Sequence, residues 1–388
     1  MNSISYVLIT PYTVVKSRTG GLLARLMTRS DLDLVGAQVI APDETFIDSY
    51  AKSLRRQAAP NPSFLADYVE RNLAPSGGRR HRSLFLLFSG QDTHRKLAEI
   101  CGHLYPEHRP INSIAGETIR DTYGELIVSE DDPEKFVFFE PAVLTPRSKE
   151  DADANLKLFL ELLKKSDNII ENIEYPDPSK IERTLVIIKP DNWTFASARP
   201  GTIIDMFSQT GLRIVGVKIH HMRQEEALDF YGPVEDALKT RLAPIFGKKA
   251  KDLLEQHFAL KLDDAVEKSL SDSFGAAYAR DQFYQIVEFM SGHRPDMGDA
   301  HAAKCMIVVY EGENAVKKIR DVLGPTDPLK APAGTIRREF GSNVMVNAAH
   351  ASDSAESFAR EQRIVKIHEN DTAKLIEAYL NRYAPPPP

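Results

Sequence analysis

The chain has 388 residues, of which 42% are apolar and 27% charged, a composition typical of a soluble globular protein. This length predicts two or three domains rather than one core. A net charge of −6 gives no general attraction for nucleic acid. Cys101 and Cys305 are too few for a disulfide framework. The N-terminus has no signal-peptide pattern, and no run reaches the ~20 apolar residues of a membrane span, so we expect a cytoplasmic protein.

The chain contains one pattern twice. It begins with ISYVLITP (4–11), a buried strand ending in a proline turn, which RTLVIIKP (183–190) repeats. A loop glycine, an amphipathic helix and a second strand follow in both copies, and GETIRDTYG (116–124) later matches GTIRREFG (334–341). Two copies this far apart indicate duplicated domains rather than a solenoid. We predict domains at 1–147 and 182–388, joined by a segment at 148–181 with a helix at about 149–165.

The second copy gives the clearer order of elements. Its apolar periodicity predicts, in chain order, a strand at 183–189, helix at 200–210, strand at 212–221, helix at 224–231, charged helical insertion at about 232–280, helix at 278–291, strand at 304–310, helix at 313–323, strand at 343–347 and a helix starting near 354. This is a βαββαβ order with extra helices. The predicted fold class is α+β, with two ferredoxin-like domains whose antiparallel four-stranded sheets are covered by helices.

Polar residues at the ends of these elements include types that phosphoryl transfer would use, although His350 taken alone could equally be a surface residue, a metal ligand or a general base. Such a reaction requires cations and hydrogen-bond donors that converge on a nucleophile. A neutral imidazole serves as a nucleophile near pH 7, because its reference pKa is about 6.5. The candidates are His350 as nucleophile, Lys189, Arg320 and Arg337 as cations, and Thr326 and Asn347 as uncharged donors. Each has an ordinary alternative when taken singly: a surface histidine, a solvated lysine, a basic helix face or a loop ion pair.

The joint order of these motifs resembles the nucleoside diphosphate kinase family. The matching residues, over roughly 182–370, are Lys-Pro-Asp at 189–191, Tyr231, the Phe-Tyr pair at 283–284, Arg320, Thr326, Arg337 in GTIRR, Asn-x-x-His at 347–350 and Glu361. The resemblance implies that His350 accepts a phosphoryl group from a nucleoside triphosphate and passes it to a diphosphate. One departure is Asn192, which stands where the family has glycine.

The resemblance also implies roles for the supporting residues. Glu361 would fix the tautomer of His350, Ser352 would tie this carboxylate to the loop, and Tyr231 would support the histidine or simply pack. The base would stack on Phe283, with Tyr284 as the alternative. Magnesium would be carried by the nucleotide phosphates, without dedicated protein ligands. From the residues themselves, Asp353 with Glu356 reads as a helix N-cap and its reciprocal partner.

The first copy has lost this set. Alignment on the shared Thr-Ile-Arg places Pro133 at the position of His350 and Glu130 at that of Asn347. Alignments elsewhere place Thr10 at Lys189 and Ala98 at Arg320, and leave Arg120 as the counterpart of Arg337. We therefore expect a degenerate domain whose role is packing, in a chain that forms homo-oligomers. Its basic run GGRRHR (77–82) reads as a solvated loop or as a contact for an anionic partner.

We expect an enzyme that uses ATP and nucleoside diphosphates in a ping-pong reaction through phospho-His350. The alternative is a non-catalytic scaffold or a regulatory nucleotide-binding protein that kept the fold. Retention of the reacting set in one copy, against its loss in the other, favours the enzyme. Membrane and nucleic-acid partners are not expected.

Overall fold

The computed structural model describes residues 3–57, 62–104, 114, 116–131, 136–171, 173–295 and 303–382. It confirms the predicted α+β class, with antiparallel sheets and helices. Within the described ranges, no helix combines the length and the apolarity that crossing a bilayer requires. Residues group into two compact units: one holds 1–219, 306–359 and 366–388, the other 220–305 and 360–365. The domain boundaries at 147/148 and 181/182 follow a different division and stay predictions.

The strands of the described residues are β1 (Ser3–Ile9), β2 (Asp33–Ile40), β3 (Ser83–Gly90), β4 (Glu125–Val128), β5 (Phe136–Glu140), β6 (Val143–Leu144), β7 (Ile181–Ile188), β8 (Arg213–His221), β9 (Lys304–Glu313) and β10 (Ala349–Ala351). The α-helices there are α1 (Pro11–Val15), α2 (Thr19–Thr28), α3 (Glu44–Arg55), α4 (Pro62–Asn72), α5 (Thr93–Cys101), α6 (Ile119–Tyr123), α7 (Lys149–Lys165), α8 (Arg199–Ser208), α9 (Gln224–Phe258), α10 (Asp264–Leu270), α11 (Ala276–Ser291), α12 (Ala315–Leu323), α13 (Ile336–Phe340), α14 (Ala355–Ile364) and α15 (Asp371–Arg382).

Two four-stranded sheets share one strand order. The first runs β2-β3-β1-β6 and the second β8-β9-β7-β10, so in each the opening strand lies between the third and the last. Both opening strands are buried from their middle to their C-terminal end, as expected of strands covered by helices. The hairpin β4–β5 forms a separate two-stranded sheet that follows α6 in the first half.

Glycines allow α2 and α8 to touch through their backbones. A Cβ atom on Gly20 would lie 2.1 Å from the carbonyl oxygen of Gly201, and one on Gly201 would lie 2.2 Å from that of Gly20. A side chain at either position would therefore push the two helices apart. Leu22, Leu26 and Ile203 extend this contact into one apolar core that also includes residues of both four-stranded sheets.

The last helix, α15, completes the core of the first half. Ile376 and Tyr379 share a buried cluster with Tyr6 of β1 and Phe159 of α7. The hydroxyl of Tyr379 donates a hydrogen bond to Asp153, 3.0 Å away on α7. The C-terminal helix therefore packs on the β1–β2–β3 side of the molecule rather than only beside the strands that precede it in sequence.

The second unit is built of long helices. Within it, α9 and α11 lie side by side, and the rings of Phe246 and Tyr278 stack with their centroids 3.6 Å apart. Close packing requires glycine at 275, where a Cβ atom would lie 2.1 Å from the carbonyl oxygen of Ala243. The sequence predicted a helix ending at 231, but α9 continues to Phe258 despite Pro233. The predicted insertion at about 232–280 therefore consists largely of the extension of α9, of α10 and of the start of α11.

One predicted strand is wrong. The apolar run at 343–347 forms a turn, and the strand lies at Ala349–Ala351 instead. The side chain of Asn343 accepts hydrogen bonds from the backbone N–H groups of Met345 and Val346, at 2.9 and 2.8 Å. Asparagine side chains fold the backbone locally in this way, in competition with strand pairing. His350 consequently lies within the strand rather than after it.

Candidate active site

Lys189 follows the end of β7 and anchors the segment that leads to His350. Its backbone N–H donates to the carbonyl oxygen of Ala348 at 3.0 Å. Its Nζ donates to the carbonyl oxygen of Met345 at 3.1 Å and to Oδ1 of Asn347 at 2.8 Å. Only 7% of this lysine is exposed. The ammonium group is therefore fixed by buried acceptors immediately before the strand that carries the histidine.

Asn347 connects this lysine to the loop of Thr326. While its Oδ1 accepts from Lys189, its Nδ2 donates to the carbonyl oxygens of Thr326, at 3.1 Å, and of Val344, at 2.9 Å. Thr326 itself is exposed, so its hydroxyl group is available to solvent or a ligand. The structure thus brings three predicted residues, Lys189, Asn347 and Thr326, into one hydrogen-bonded group.

Asn192 belongs to the same group, although no role was predicted for it from the sequence. It ends the short 3-10 turn Pro190–Asn192, is 1% exposed, and donates from Nδ2 to the carbonyl oxygen of Ala348 at 2.7 Å. Ala348 has a positive φ of 69°, which is uncommon for a residue with a side chain. Asn192 and Lys189 together stabilise this backbone conformation just before His350. The sequence contained a signal for this role, because Asn192 has an amide side chain where the family has glycine.

Arg337 lies on α13 and is also buried. Its two terminal nitrogens donate to the carbonyl oxygens of Gly324, at 3.0 Å, and of Ala349, at 3.1 Å. The first contact fixes the end of α12 and the second fixes β10 beside His350. Two backbone carbonyls thus position the guanidinium group, and hydrogen bonds to neutral carbonyls do not remove its positive charge.

The buried cations affect one another. Burial, followed by the charge of Arg337, lowers the pKa of Lys189 to about 7, while Asp191 opposes this change. Burial raises the pKa of Asp191, although Arg199 and Lys189 counteract it. Placing two cations in a poorly hydrated region is costly unless an anion joins them. This part of the structure is therefore suited to bind an anionic group.

His350 lies in β10, paired with Ile187 of β7, and is half-buried. The fully buried Ser352 fixes the end of this strand, because its N–H donates to the carbonyl oxygen of Leu185 at 3.0 Å. Its hydroxyl oxygen accepts from the N–H of Leu185 at 3.3 Å. The backbone at the histidine is thus held on both sides, by Arg337 at Ala349 and by β7 at Ser352.

Asp353 follows β10 and interacts electrostatically with both Arg320 and His350. The hydroxyl of Ser357 and, after it, the charge of Arg320 lower the pKa of the Asp353 carboxyl, and His350 contributes in the same direction. Arg320, on α12, is exposed. The predicted N-cap is wrong: Ser354, not Asp353, accepts the N–H of Ser357, at 3.1 Å. Helix α14 starts one residue later than the capping pattern implied, so Asp353 precedes the cap instead of forming it.

The remaining predicted residues belong to the second unit. Tyr231 is buried on α9, with its ring 5.0 Å from that of Phe230. Glu361, on α14, is 2% exposed. Phe283, on α11, is 1% exposed, whereas its neighbour Tyr284 is half-buried. Stacking of a base on Phe283 would require its ring to become exposed, while Tyr284 already offers surface.

Comparison with known proteins assigns the second half of the chain. The family model "Nucleoside diphosphate kinase" matches residues 182–241 and 252–370. A nucleoside diphosphate kinase from Anaeromyxobacter is 34% identical over 176 residues, which are 45% of this chain and 83% of the relative. The chain belongs to the nucleoside diphosphate kinase family. A second relative with that name, from Polynucleobacter necessarius, is 34% identical over 181 residues, 47% of this chain and 89% of the relative.

Solved nucleoside diphosphate kinases match the same share of the chain. The enzyme from Aquifex aeolicus is 28% identical, with a TM-score of 0.30, and covers 48% of this chain and 94% of its own. That from Pyrobaculum aerophilum is 28% identical, with a TM-score of 0.34, and covers 47% of this chain and 94% of its own.

The first half repeats the scaffold of the kinase-family half without its reacting groups. Arg120 contacts the carbonyl oxygens of Gly102 and Val143, as Arg337 contacts those of Gly324 and Ala349. The N–H of Thr10 donates to Ala142, as that of Lys189 donates to Ala348. Both alanines have a positive φ, of 61° and 69°. These parallel contacts agree with the predicted equivalences of Thr10 with Lys189 and of Arg120 with Arg337, while the duplication itself stays a prediction.

The predicted counterpart of the histidine is wrong. Pro133 lies outside the described residues, but strand pairing identifies the equivalent position independently. Leu144 pairs with Leu8 of β1 as His350 pairs with Ile187 of β7. The position equivalent to His350, the predicted nucleophile, is therefore occupied by leucine, which has no group able to attack phosphorus. By the same register Asn347 corresponds to Pro141 and not to Glu130.

A carboxylate occupies the region where the kinase-family half holds its lysine. Glu140 is 2% exposed and accepts hydrogen bonds from the hydroxyls of Thr10, at 2.7 Å, and Tyr68, at 2.6 Å. Burial raises the pKa of Glu140. With Glu125 and Arg120 it lines a cavity of about 230 Å³. A phosphate would be repelled by these acidic groups, which agrees with a degenerate site.

Proposed function

We propose that the chain is a nucleoside diphosphate kinase that transfers the γ-phosphoryl group of ATP to nucleoside diphosphates through phospho-His350. The observation that carries this proposal is the pair of buried cations, Lys189 and Arg337, bonded to the residues directly before His350 in β10. Their mutual repulsion favours an anion, and the adjacent imidazole is the nucleophile that family membership leads us to expect.

Two half-reactions would share one site. In the first, a ring nitrogen of His350 forms a bond to the γ-phosphorus, and the bond to the bridging oxygen breaks, with its electron pair leaving on ADP. In the second, a terminal oxygen of the diphosphate attacks the same phosphorus and the N–P bond breaks. The charge on the equatorial oxygens would be stabilised by the preorganised cations Lys189, Arg320 and Arg337.

The other residues would position the reactants. Asn347 would hold the ammonium of Lys189, Thr326 would donate to a phosphate, and Ser352 would fix the strand of the histidine. Glu361 would orient the imidazole, with Tyr231 in support, and the base would stack on Phe283 or Tyr284. Magnesium would enter on the nucleotide phosphates, since the side chains gathered near β10 are mainly donors that suit phosphate oxygens. When bound, the ion would supply further neutralisation of phosphate charge.

A labelling experiment tests the nucleophile. The purified chain is incubated with γ-³²P ATP, and the label is challenged with acid, base and GDP. We expect acid-labile, base-stable label that GDP removes and that His350→Ala abolishes. His368→Ala replaces an exposed histidine and serves as the matched control, which should label normally. Folded protein without label, or label that persists in His350→Ala, would refute the proposed route and favour the scaffold alternative.

We further propose a homo-oligomer in which the N-terminal half supplies packing surface. Within one chain this half already buries α2 against α8 through Gly20 and Gly201. Light scattering of the full chain measures the assembly directly, and a monomer at micromolar concentration would contradict this part of the proposal.

A further inference from the structure

Two further cavities lie in the first unit. They are lined by residues that take no part in the proposed kinase site. Their volumes are about 540 and 610 Å³, and both are lined by Arg79, Arg80 and Glu174. Arg82 and Arg213 line the larger one. We call the larger cavity, which these four arginines line, the basic cleft. It contains most of the run GGRRHR, the basic motif that the kinase function leaves without a role.

Positive charge dominates the larger cavity. Four guanidinium groups line it, together with His81, and Glu174 is the carboxylate among its described lining residues. Arg79 pairs with Glu174 at 2.6 Å, but the two side chains are 63% and 74% exposed. Such an exposed ion pair contributes little and is easily exchanged. An excess of positive charge therefore remains on one wall.

Arg82 is built into that wall. Its Nη1 donates to the carbonyl oxygen of Ile214 at 2.6 Å. Burial, and then the charge of Arg213, lower the pKa of Arg82, while Tyr175 and Glu311 act in the opposite direction. Glu311 is itself engaged, because it accepts hydrogen bonds from Arg183 at 2.6 Å and from Tyr175 at 3.0 Å.

Arg213 is exposed and lines the same cavity as the half-buried Arg82. Its guanidinium carbon lies 5.3 Å from the centroid of the Tyr175 ring, in a cation–π contact. Two guanidinium groups that repel one another next to a cavity form a suitable site for an anion with several oxygens. Arginine binds phosphate in particular, because its planar donors match two phosphate oxygens at once.

The remaining wall is apolar and carries hydroxyl groups. Val14, Val15 and Leu212 supply apolar surface, and 76% of Val15 is exposed. Ser17 and Ser208 supply hydroxyl groups. Pockets of about 300–1,000 Å³ with mixed walls of this kind suit small ligands. A ligand that matches both walls has phosphoryl groups at one end and an apolar ring at the other.

We propose that the basic cleft binds a phosphorylated small molecule that carries a planar ring, the chemistry of a nucleotide, at a site separate from His350. This goes beyond the proposed kinase reaction and does not depend on it. The phosphoryl groups bind Arg80, Arg82 and Arg213, and the ring lies against Val14 and Leu212.

Photolabelling tests this site. The full chain is irradiated with 8-azido-ATP, digested, and the labelled peptides are identified by mass spectrometry. We expect saturable label within 76–82 or 208–214, in addition to any label near Lys189 and His350. Inorganic tripolyphosphate is used as a competitor: if it displaces label as effectively as ATP, the phosphoryl end supplies the affinity; if it competes more weakly, the ring contributes as well.

Paired variants give the control. Arg80→Glu with Arg213→Glu should weaken labelling of the cleft more than about tenfold, because two phosphate contacts are lost. Lys52→Glu with Arg71→Glu makes the same charge change at exposed positions that do not line the cleft and should leave labelling unchanged. If the reversal destabilises the fold, glutamine at both positions replaces it. Label confined to kinase-site peptides, or cleft label that is equal in both double variants, would overturn the proposal.

Discussion

Replacing Lys189 by methionine removes its charge while keeping most of its length. The substitution deletes the two hydrogen bonds from Nζ to Met345 and Asn347. We expect a loss of at least about a hundredfold in kcat, since a preorganised donor at the transferring group is lost. The same change affects the stability of the protein in a way that depends on pH, and this second effect tests the electrostatic description of the site.

The size of this pH effect on stability follows from the pKa of Lys189, which is about 7 in the fold compared with 10.5 for a free lysine. Below pH 7 both the folded and the unfolded chain carry this proton, so the contribution of Lys189 to stability is constant. Between pH 7 and 10.5 the unfolded chain binds the extra proton, so the free energy of unfolding rises with pH. At about 1.36 kcal/mol per pKa unit, the wild type should gain about 2.7 kcal/mol between pH 6 and pH 9.

Methionine does not titrate, so the difference in the free energy of unfolding between the wild type and Lys189→Met isolates the contribution of Lys189. Guanidinium unfolding is followed by far-UV circular dichroism and by Trp193 fluorescence at each pH. Coincident transitions would support a two-state treatment. The free energy of unfolding of the wild type, minus that of Lys189→Met, should be flat up to pH 6 and then rise. A difference that changes by less than about 0.5 kcal/mol from pH 6 to pH 9 would refute burial of a charged lysine here.

Gly201→Ala should lower the free energy of unfolding by about 1–3 kcal/mol, because its Cβ atom would lie 2.2 Å from a carbonyl oxygen of α2. Chemical denaturation measures this loss. Gly232→Ala is the control, because a Cβ atom at that position has nothing within 4 Å. Arg120→Ala should lower the melting temperature but preserve kcat, whereas Arg337→Ala should lose both, in steady-state assays; equal loss of activity would contradict a degenerate first half. Asn347→Ala should lower kcat more than about tenfold, since Lys189 loses its side-chain acceptor; unchanged kcat would remove Asn347 from the site.

Strong periodic segments were predictable from the sequence. The predicted strand at 183–189 is Ile181–Ile188, the predicted helix at 149–165 is Lys149–Lys165, and the strand at 212–221 is Arg213–His221. In these segments the alternation of apolar residues matches the burial that the fold imposes. The position of Lys189 at the end of its strand followed directly.

Local insertions were not predictable. The offset between the two halves is 217 at the arginines (337 against 120) and 206 at the last strands (349 against 143). The first half therefore has eleven additional residues between these points, in the region of the hairpin β4–β5. Counting from Arg120 alone placed the lost nucleophile at Pro133, because a sequence without an alignment does not reveal where extra residues enter. Strand pairing gives Leu144.

The electrostatic state of the site also required coordinates. The sequence supplied Lys189 and Arg337 as cations but not their burial, which depends on how α13 packs beside β10. The pKa of the lysine, the partner of Asn192 and the burial of Phe283 all arise from contacts between distant segments. Side-chain identity predicts what a group can do, whereas its neighbours determine in which protonation state it does so.

The position of α15 has a consequence for biosynthesis. Ile376 and Tyr379 belong to the same buried cluster as Tyr6 and Phe159, so β1 and α7 cannot complete their core until α15 has been synthesised. Until then the nascent first half exposes apolar surface, and chains in that condition recruit chaperones or aggregate. Translation must therefore proceed through α15 before this half acquires its full cooperativity.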